Sequence, residues 1–264
     1  MNGPGGTERP LPGVGTASRL MIWAHRGASA RAPENTLAAF RAAEADGADG
    51  IELDVHLSRD GVPVVIHDES LERTSDGRGA VRDLTLAELR RLEAGSWFGA
   101  AFAGEGIPTL EEVFAWAGNR LRINAEIKDA AAGRKVLELL QAYPQVRVLV
   151  SSFDHRLLAL MRQAAPLLPL GFLCDALFWH RALARAVAAG AESFHPRVDR
   201  TSRQLVLACR RKGLRVYPWT VDTPRQALCL WRLRVDGLFT NHPAELSSLR
   251  ARRGQTFDRA GKTV

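Results

Sequence analysis

Residues 22–68 read IWAHRGASARAPENTLAAFRAAEADGADGIELDVHLSRDGVPVVIHD, and this stretch carries the clearest structural pattern in the chain. An apolar run over residues 20–24 predicts a strand. Apolar residues at helical spacing predict a helix over residues 35–45, with Asn35 available as its N-cap. A second strand is predicted over residues 50–57, and Asp60 and Gly61 form a tight-turn signal that returns residues 62–66 as a hairpin partner. The stretch therefore predicts a strand-helix-strand unit with a hairpin arm.

The same alternation continues along the rest of the chain. Strands are predicted to begin at Leu20, Gly50, Arg122, Val146, Pro169, Ser193, Arg215 and Gly237. Helix starts are recognisable at the capping box from Thr109 to Glu112 and at Thr223, which is followed by Pro224. A doubly wound open sheet is the competing fold, but no glycine-rich phosphate loop follows the first strand. Each of the eight predicted strands is followed by a helix. This pattern instead predicts an α/β fold of the (β/α)8 TIM-barrel type.

One domain accounts for most of the chain. Residues 1–18 are rich in Gly, Pro and Thr and poor in apolar residues, so we expect a flexible tail there. Residues 68–108 combine turn residues, one weak helix signal at residues 86–92 and a Gly-, Trp- and Phe-rich part, which indicates a small insertion after the second strand. We expect a single barrel domain over residues 19–252, whose last helix ends near Arg250, and a C-terminal tail over residues 253–264.

The composition excludes several classes of protein. The 264 residues are 46% hydrophobic and 25% charged, and no apolar run approaches the roughly 18 residues that a membrane span needs. Because the N-terminus also lacks a signal-peptide pattern, we expect a cytoplasmic protein without stable membrane insertion. The three cysteines, Cys174, Cys209 and Cys229, are odd in number and widely spaced, which favours free thiols over disulfides or a zinc site.

The formal net charge of +7 does not by itself indicate nucleic-acid binding. The densest basic groups, residues 210–212 and 250–253, fall at the ends of predicted helices, where cations complement the helix dipole. No strip of basic residues interleaved with aromatic residues accompanies them. We therefore expect a small-molecule ligand and no nucleic acid, and the sequence leaves the oligomeric state open.

Three acidic residues are predicted to meet at the carboxyl ends of the strands, where barrel enzymes have their active sites. Glu52 and Asp54 share one face of a strand because side chains alternate along it, and Glu126 lies on the next barrel strand. Such carboxylates repel each other unless one is protonated or a cation lies between them. Surface acids in ordinary salt bridges are the alternative, which the barrel position disfavours. Oxygen ligands select hard cations, so we expect one divalent cation, Mg²⁺ or Ca²⁺.

Two histidines flank these acids. His25 ends the first strand, and His67 ends the hairpin arm. Two imidazoles with a pKa near neutrality can share the work at a phosphodiester, one removing a proton from the nucleophile and the other protonating the leaving oxygen. We expect His56, His155 and His180 to be structural.

Two basic residues and one tryptophan complete the predicted site. Arg26 carries a planar fork that can bind two phosphate oxygens, and Lys128 adds a compact charge at the same rim. Both can also neutralise the carboxylates, and the two roles are compatible. Trp219, at the end of a predicted strand, is expected either to form an apolar wall for an alcohol or glycerol group or to serve packing.

Short motifs spread from about residue 22 to about residue 246 make the chain similar to a known family. They are His25-Arg26-Gly27, Pro33-Glu34-Asn35-Thr36, Gly50-Ile51-Glu52-Leu53-Asp54-Val55, the run DGVPVVIHD over residues 60–68, Glu126-Ile127-Lys128, Ser152-Phe153 and Trp219-Thr220-Val221. With these motifs the chain resembles the glycerophosphodiester phosphodiesterases. It departs from them at Asn241, where many members have an acid, and at Asp222, where many have Asn.

The resemblance implies a metal-dependent hydrolase that cleaves glycerophosphodiesters, such as glycerophosphocholine or glycerophosphoethanolamine, into glycerol 3-phosphate and an alcohol. It implies that residues 68–108 cap the site and set the choice of headgroup. It also implies a role for each residue at a matching position: metal ligands at Glu52, Asp54 and Glu126, general acid and base at His25 and His67, and phosphate and substrate contacts at Arg26 and Lys128.

Some alternatives stay open at this point. The sequence does not decide which histidine is the acid, or whether water or the glycerol 2-hydroxyl attacks. A lysophospholipase D-type hydrolase would need an apolar mouth, for which residues 97–102 (WFGAAF) are the candidate. A non-catalytic glycerophosphodiester-binding barrel is a third reading, disfavoured because His25, His67 and all three acids are retained.

Overall fold

The computed structural model describes residues 19–260, and it describes side chains for residues 19–252. The predicted N-terminal tail, residues 1–18, lies outside the described residues, as do residues 261–264 of the predicted C-terminal tail. The last helix, Pro243–Ala260, is longer than predicted and takes in residues 253–260.

Eight parallel strands form a nearly closed barrel. In chain order the strands are β1 (Met21–Ala24), β2 (Gly50–Leu57), β3 (Pro63–Val65), β4 (Arg122–Ile127), β5 (Arg147–Ser152), β6 (Leu170–Cys174), β7 (Ser193–Pro196), β8 (Arg215–Val216) and β9 (Gly237–Thr240). Neighbours pair in the order β8, β7, β6, β5, β4, β2, β1, β9, and β3 pairs antiparallel with β2 as the predicted hairpin arm. Backbone hydrogen bonds from Asp236 N to the Val216 oxygen (3.1 Å) and from Phe239 N to the Pro218 oxygen (2.9 Å) join the two end strands. The predicted TIM-barrel fold is confirmed.

Helices follow the barrel strands and cover the outside of the barrel. They are α1 (Leu37–Ala45), α2 (Leu86–Leu89), α3 (Leu110–Ala117), α4 (Ala132–Ala142), α5 (His155–Ala164), α6 (His180–Ala188), α7 (Arg203–Arg211), α8 (Pro224–Arg232) and α9 (Pro243–Ala260). The capping box of α3 is present as predicted, with the Thr109 side chain accepting from Glu112 N. Thr223 caps α8, and Pro224 is its first residue. Helix starts with a local chemical cause were therefore predictable.

The start of α1 differs from the prediction. Thr36, not Asn35, is the N-cap, because its hydroxyl accepts a hydrogen bond from Ala39 N at 3.2 Å. Asn35 has a φ of 59°, a left-handed conformation that asparagine tolerates better than most residues. This conformation leaves the Asn35 side chain free to contact β2 instead of the helix.

Apolar side chains pack on both sides of the strands, as expected for a parallel barrel. Between strands and helices, residues such as Phe40 and Phe114 are fully buried. Inside the barrel, the rings of Trp23, Tyr217 and Phe239 contact one another, with Trp23 and Phe239 stacked at a centroid distance of 5.8 Å. The barrel interior is thus filled by side chains, and the open end of the strands is left for polar groups.

His195, near the end of β7, belongs to this interior and is fully buried. Its ring lies 5.1 Å from the Phe239 ring, and its Nε2 is 2.8 Å from the Ser193 hydroxyl. A Cβ at Gly171 would lie 2.4 Å from the His195 ring, so only glycine leaves room for it. Burial lowers the pKa of His195 to about 3, and the ring is therefore neutral at physiological pH.

Residues 68–108 follow the hairpin arm and pack beside it. They contain the short helix α2, which ends three residues earlier than the predicted helix over 86–92, and most of a separate apolar cluster. In that cluster Leu71 and Leu89 pack with Val64 of β3, and all three are fully buried. This small core fixes the segment against the hairpin arm that ends in His67. Within residues 19–260, no helix combines the length and apolarity needed to cross a bilayer.

Candidate active site

Three buried carboxylates meet at the carboxyl end of the barrel. Glu52 and Asp54 lie on one face of β2, and the register of β2 and β4 pairs Asp54 with Glu126. One oxygen from each carboxylate lies within 4.8 Å of the others. In the described part of the chain, the buried Glu52 Oε1 makes no hydrogen bond, and the buried Asp54 Oδ1 makes none either, although the Lys128 ammonium lies 3.1 Å from it. Converging, unsatisfied oxygen atoms are the donor set of a hard divalent cation, so this acidic triad can bind one.

Burial and mutual repulsion shift the ionisation of these acids. Burial, together with the charge of Asp54, raises the pKa of Glu52 well above its ordinary value and that of Glu126 to about 7. Burial also acts to raise the pKa of Asp54, but the positive charges of Lys128 and Arg26 outweigh it and hold that pKa well below its usual value. Without a cation Asp54 is therefore the most readily ionised of the three carboxylates, and a cation would favour ionisation of all three.

Two basic side chains lie against the triad. Lys128 Nζ is 2.5 Å from Glu126 Oε1 and 3.1 Å from Asp54 Oδ1. Arg26 Nε is 3.3 Å from Asp54 Oδ2, and the Arg26 backbone N–H donates to Glu52 Oε2 at 2.8 Å. The structure thus brings together five of the residues that the sequence predicted for the site.

Asn35, which was predicted to cap a helix, instead contacts the acidic triad through Asp54. Its Nδ2 donates to Asp54 Oδ2 at 2.9 Å, and its Oδ1 accepts from Asp54 N at 3.3 Å. It is 3% exposed, so both bonds are made away from solvent. The neighbouring Thr36 is also a favoured N-cap residue, and this redundancy is the sequence signal that Asn35 was available for another contact.

His25 is held by Asn241, which is in turn held by Asp222. His25 Nδ1 lies 2.8 Å from Asn241 Oδ1, and Asn241 donates from Nδ2 (2.7 Å) and from its backbone N–H (2.8 Å) to the Asp222 carboxylate. Because Asp222 can only accept, it fixes the amide so that its oxygen faces His25. His25 therefore carries its proton on Nδ1 and leaves Nε2 as an acceptor. Burial, with the charge of Arg26, lowers the pKa of His25 to about 4.

His67 has a different partner. Its Nδ1 lies 2.6 Å from Asp68 Oδ1, and Arg73 Nε donates to Asp68 Oδ2 at 2.5 Å. Hydrogen bonding to Arg73 lowers the pKa of Asp68 to about 2, so the carboxylate is charged at neutral pH. Burial lowers the pKa of His67, and the charge of Asp54 opposes this shift. His67 thus faces a carboxylate where His25 faces an amide.

Trp219 lies at the same end of the barrel. Its indole N–H donates to the His195 backbone oxygen at 2.8 Å, and its ring meets Phe153 edge to face at 5.6 Å. Phe153, in the loop after β5, is 43% exposed and forms an aromatic surface with Trp219. The predicted motif Ser152-Phe153 contained this residue, but its contact with Trp219 joins positions that are far apart in the sequence.

Comparisons with known proteins agree with this geometry. Residues 25–245 match the sequence model of the glycerophosphoryl diester phosphodiesterase family. A glycerophosphodiester phosphodiesterase of Caldanaerobacter subterraneus is 42% identical over 241 residues, which cover 88% of this chain and 98% of that protein. One of Bacillus subtilis is 33% identical over 251 residues, covering 85% and 84%.

Solved structures that resemble this chain are also phosphodiesterases. An Oleispira antarctica phosphodiesterase in complex with the product sn-glycerol-3-phosphate has a TM-score of 0.80 and 32% identity, over 87% of this chain and 96% of that one. A glycerophosphodiester phosphodiesterase of Thermotoga maritima has a TM-score of 0.75 and 31% identity, over 87% and 98%. This chain is therefore an enzyme of the glycerophosphoryl diester phosphodiesterase family.

Proposed function

We propose that the protein hydrolyses glycerophosphodiesters, such as glycerophosphocholine or glycerophosphoethanolamine, to glycerol 3-phosphate and an alcohol in a metal-dependent reaction. The observation that carries the proposal is the buried triad of Glu52, Asp54 and Glu126, whose oxygen atoms lie within 4.8 Å of one another at the end of a barrel. The solved relative from Oleispira antarctica, with sn-glycerol-3-phosphate bound, supports a glycerol phosphate as the product.

The triad would hold Mg²⁺ or Ca²⁺, because both cations prefer carboxylate oxygens. When bound there, the cation would supply Lewis-acid chemistry, namely polarisation of a phosphoryl oxygen and stabilisation of negative charge on the phosphate. Arg26 and Lys128 would contact the substrate phosphate beside it. Lys128 is only 2.5 Å from Glu126, so its ammonium also limits the repulsion within the triad.

The partners of the two histidines favour a division of their roles. His25, neutral and protonated on Nδ1, has Nε2 available to take a proton from the attacking oxygen, whether that oxygen belongs to water or to the glycerol 2-hydroxyl. His67 pairs with the charged carboxylate of Asp68, which opposes the lowering of the His67 pKa by burial and so favours the imidazolium that would protonate the leaving alcohol. Phosphorus NMR during turnover separates the two attackers, because only attack by the 2-hydroxyl passes through a cyclic phosphate.

We also propose one catalytic domain over residues 19–252, with residues 68–108 as the insertion that sets headgroup choice. The insertion packs on β3, next to His67, and the surface of Trp219 and Phe153 lies at the same barrel end as a wall for the glycerol or alcohol group.

The cytoplasm is the proposed location, because Cys174, Cys209 and Cys229 all carry free thiols. Cell fractionation that recovers the protein in another compartment would contradict this location.

A lysophospholipid is the second candidate substrate. Leu177 and Phe178, in the loop after β6, are 61% and 79% exposed at the rim of the site, and Trp97 of the insertion is 43% exposed. An acyl chain could cover such apolar groups, whereas a soluble diester would not need them.

One assay tests both candidates. The purified protein is incubated with glycerophosphocholine, glycerophosphoethanolamine or lysophosphatidylcholine, in each case with Mg²⁺ or Ca²⁺. We expect glycerol 3-phosphate from the first two and little product from the third. Turnover of lysophosphatidylcholine alone would favour the second candidate, and no product from any diester would refute both.

A further inference from the structure

We propose that Arg73, a residue of the insertion, is a positioning residue for both halves of the catalytic machinery. This inference rests on the proposed roles of His67 and Arg26. The Arg73 guanidinium donates to two carboxylates at once. It reaches Glu34 Oε2 from Nη1 and Glu34 Oε1 from Nη2, both at 2.8 Å, and Asp68 Oδ2 from Nε at 2.5 Å and Asp68 Oδ1 from Nη2 at 3.1 Å.

Each of these carboxylates holds a residue of the proposed site. Glu34 Oε1 also accepts from Arg26 Nη1 at 2.9 Å, and Asp68 Oδ1 lies 2.6 Å from His67 Nδ1. The five side chains form one continuous ladder, which runs Arg26, Glu34, Arg73, Asp68, His67. Its centre is Arg73, and its two ends are the proposed phosphate contact and the proposed acid.

The contacts of Arg73 are better suited to orienting the two carboxylates than to stabilising the fold. Arg73 is 44% exposed, and exposed ion pairs contribute little to the free energy of folding. Glu34, by contrast, is 14% exposed, so its carboxylate has few competing water partners. A planar guanidinium that binds two carboxylates through paired hydrogen bonds fixes their planes as well as their positions. The orientation of the His67 ring and of the Arg26 fork therefore depends on how the insertion seats Arg73.

The test is a double-mutant cycle on Arg73→Ala and Asp68→Asn, assayed with glycerophosphocholine. We expect each single variant to lower kcat by about 10 to 100-fold, because a misplacement of about 1 Å costs that much. The double variant is expected to lose no more than the worse single variant, since both changes release the same imidazole. Arg73→Lys should recover part of the loss, and added guanidinium ion should raise the kcat of Arg73→Ala, whereas ammonium ion should not.

Arg59→Ala is the matched control. Arg59 also ties the insertion to the barrel, through the Asp83 backbone oxygen (2.8 Å) and Glu88 Oε2 (3.0 Å), but these bonds lie outside the ladder. The kcat of Arg59→Ala should stay within about twofold of wild type, because an exposed ion pair contributes little to the stability of the fold. The inference would be overturned if the losses of kcat in the two single variants multiply in the double variant. It would also be overturned if Arg73→Ala keeps the wild-type kcat, or if Arg59→Ala loses as much kcat as Arg73→Ala.

A readout without turnover separates this inference from the proposed function. The ring nitrogen NMR signals of His67 should shift in Arg73→Ala and stay unchanged in Arg59→Ala. If the wild-type protein hydrolyses no diester, the proposed function fails, and the NMR comparison still decides whether Arg73 sets the environment of His67. Unchanged His67 signals in Arg73→Ala would refute the ladder even in an active enzyme.

Discussion

At the scale of single residues, the hydrogen-bond partner of an imidazole determines what the imidazole can do. His25 meets the amide oxygen of Asn241, and the amide is oriented by Asp222. An amide fixes the tautomer but adds no negative charge, so the low pKa of His25 produced by burial persists. His67 meets the charged Asp68. Burial lowers the pKa of both histidines, but one imidazole faces an amide and the other a carboxylate.

Exchanging the two residues behind His25 tests this reasoning. The double variant Asn241→Asp with Asp222→Asn keeps an amide and a carboxylate in contact but puts the carboxylate against His25 Nδ1. A carboxylate there stabilises the imidazolium and raises the pKa of His25 from about 4, by roughly one unit or more. The base must be neutral, so the acidic limb of kcat/KM against pH should move to higher pH. Ser29→Ala, which removes a 2.7 Å bond to the same Asn241 oxygen without adding charge, should leave the limb in place.

His195 provides a prediction about stability and pH. In the folded protein its pKa is about 3 because it is buried, whereas an unfolded histidine has a pKa of about 6.5. Between these values only the unfolded state binds the proton, so stability falls as the pH is lowered. The free energy of unfolding should lose about 1.6 kcal/mol from this residue between pH 6.5 and 5. Urea denaturation at several pH values should show this loss in the free energy of unfolding of the wild type but not of His195→Asn. The same pH dependence in both proteins would contradict the account.

At the scale of secondary-structure elements, the sequence predicts starts and ends wherever a local signal causes them. The turn at Gly61, the capping box of α3 and the proline start of α8 follow from short-range chemistry, and each is where it was expected. The start of α1 was wrongly predicted because two adjacent residues could cap it. The choice was made by Asp54, which is 19 residues away in the sequence and takes the Asn35 amide.

Substitutions at the start of α1 should separate stability from catalysis. Thr36→Ala removes the cap and should lower the free energy of unfolding by about 1 kcal/mol, with kcat within about twofold of wild type. Asn35→Gly accepts the positive φ but deletes the amide that holds Asp54, so kcat should fall by about tenfold or more. Urea denaturation and steady-state kinetics measure both effects. A loss of kcat in Thr36→Ala equal to that in Asn35→Gly would mean that the two residues share one role.

At the scale of the whole molecule, the barrel was predictable because its pattern of strands and helices repeats. The acidic triad was predictable because side chains alternate along β2 and because β4 is its neighbour, which brings Glu52, Asp54 and Glu126 together. Contacts between distant parts of the chain carry no periodic signal. His25 and Asn241 are 216 residues apart, and Arg73 and Glu34 are 39 apart. Such contacts depend on the closure of the barrel and on the seating of the insertion.

The measurement that tests the central claim most directly is metal-dependent release of glycerol 3-phosphate from glycerophosphocholine. The wild-type protein is stripped with a chelator, assayed, and assayed again after Mg²⁺ or Ca²⁺ is restored, beside Glu52→Gln, which keeps the size of the side chain. We predict that stripping lowers turnover by about 100-fold or more, that one of the two cations restores it, and that Glu52→Gln stays inactive with either cation while it remains folded. Full turnover after stripping, or wild-type turnover by Glu52→Gln, would contradict the account.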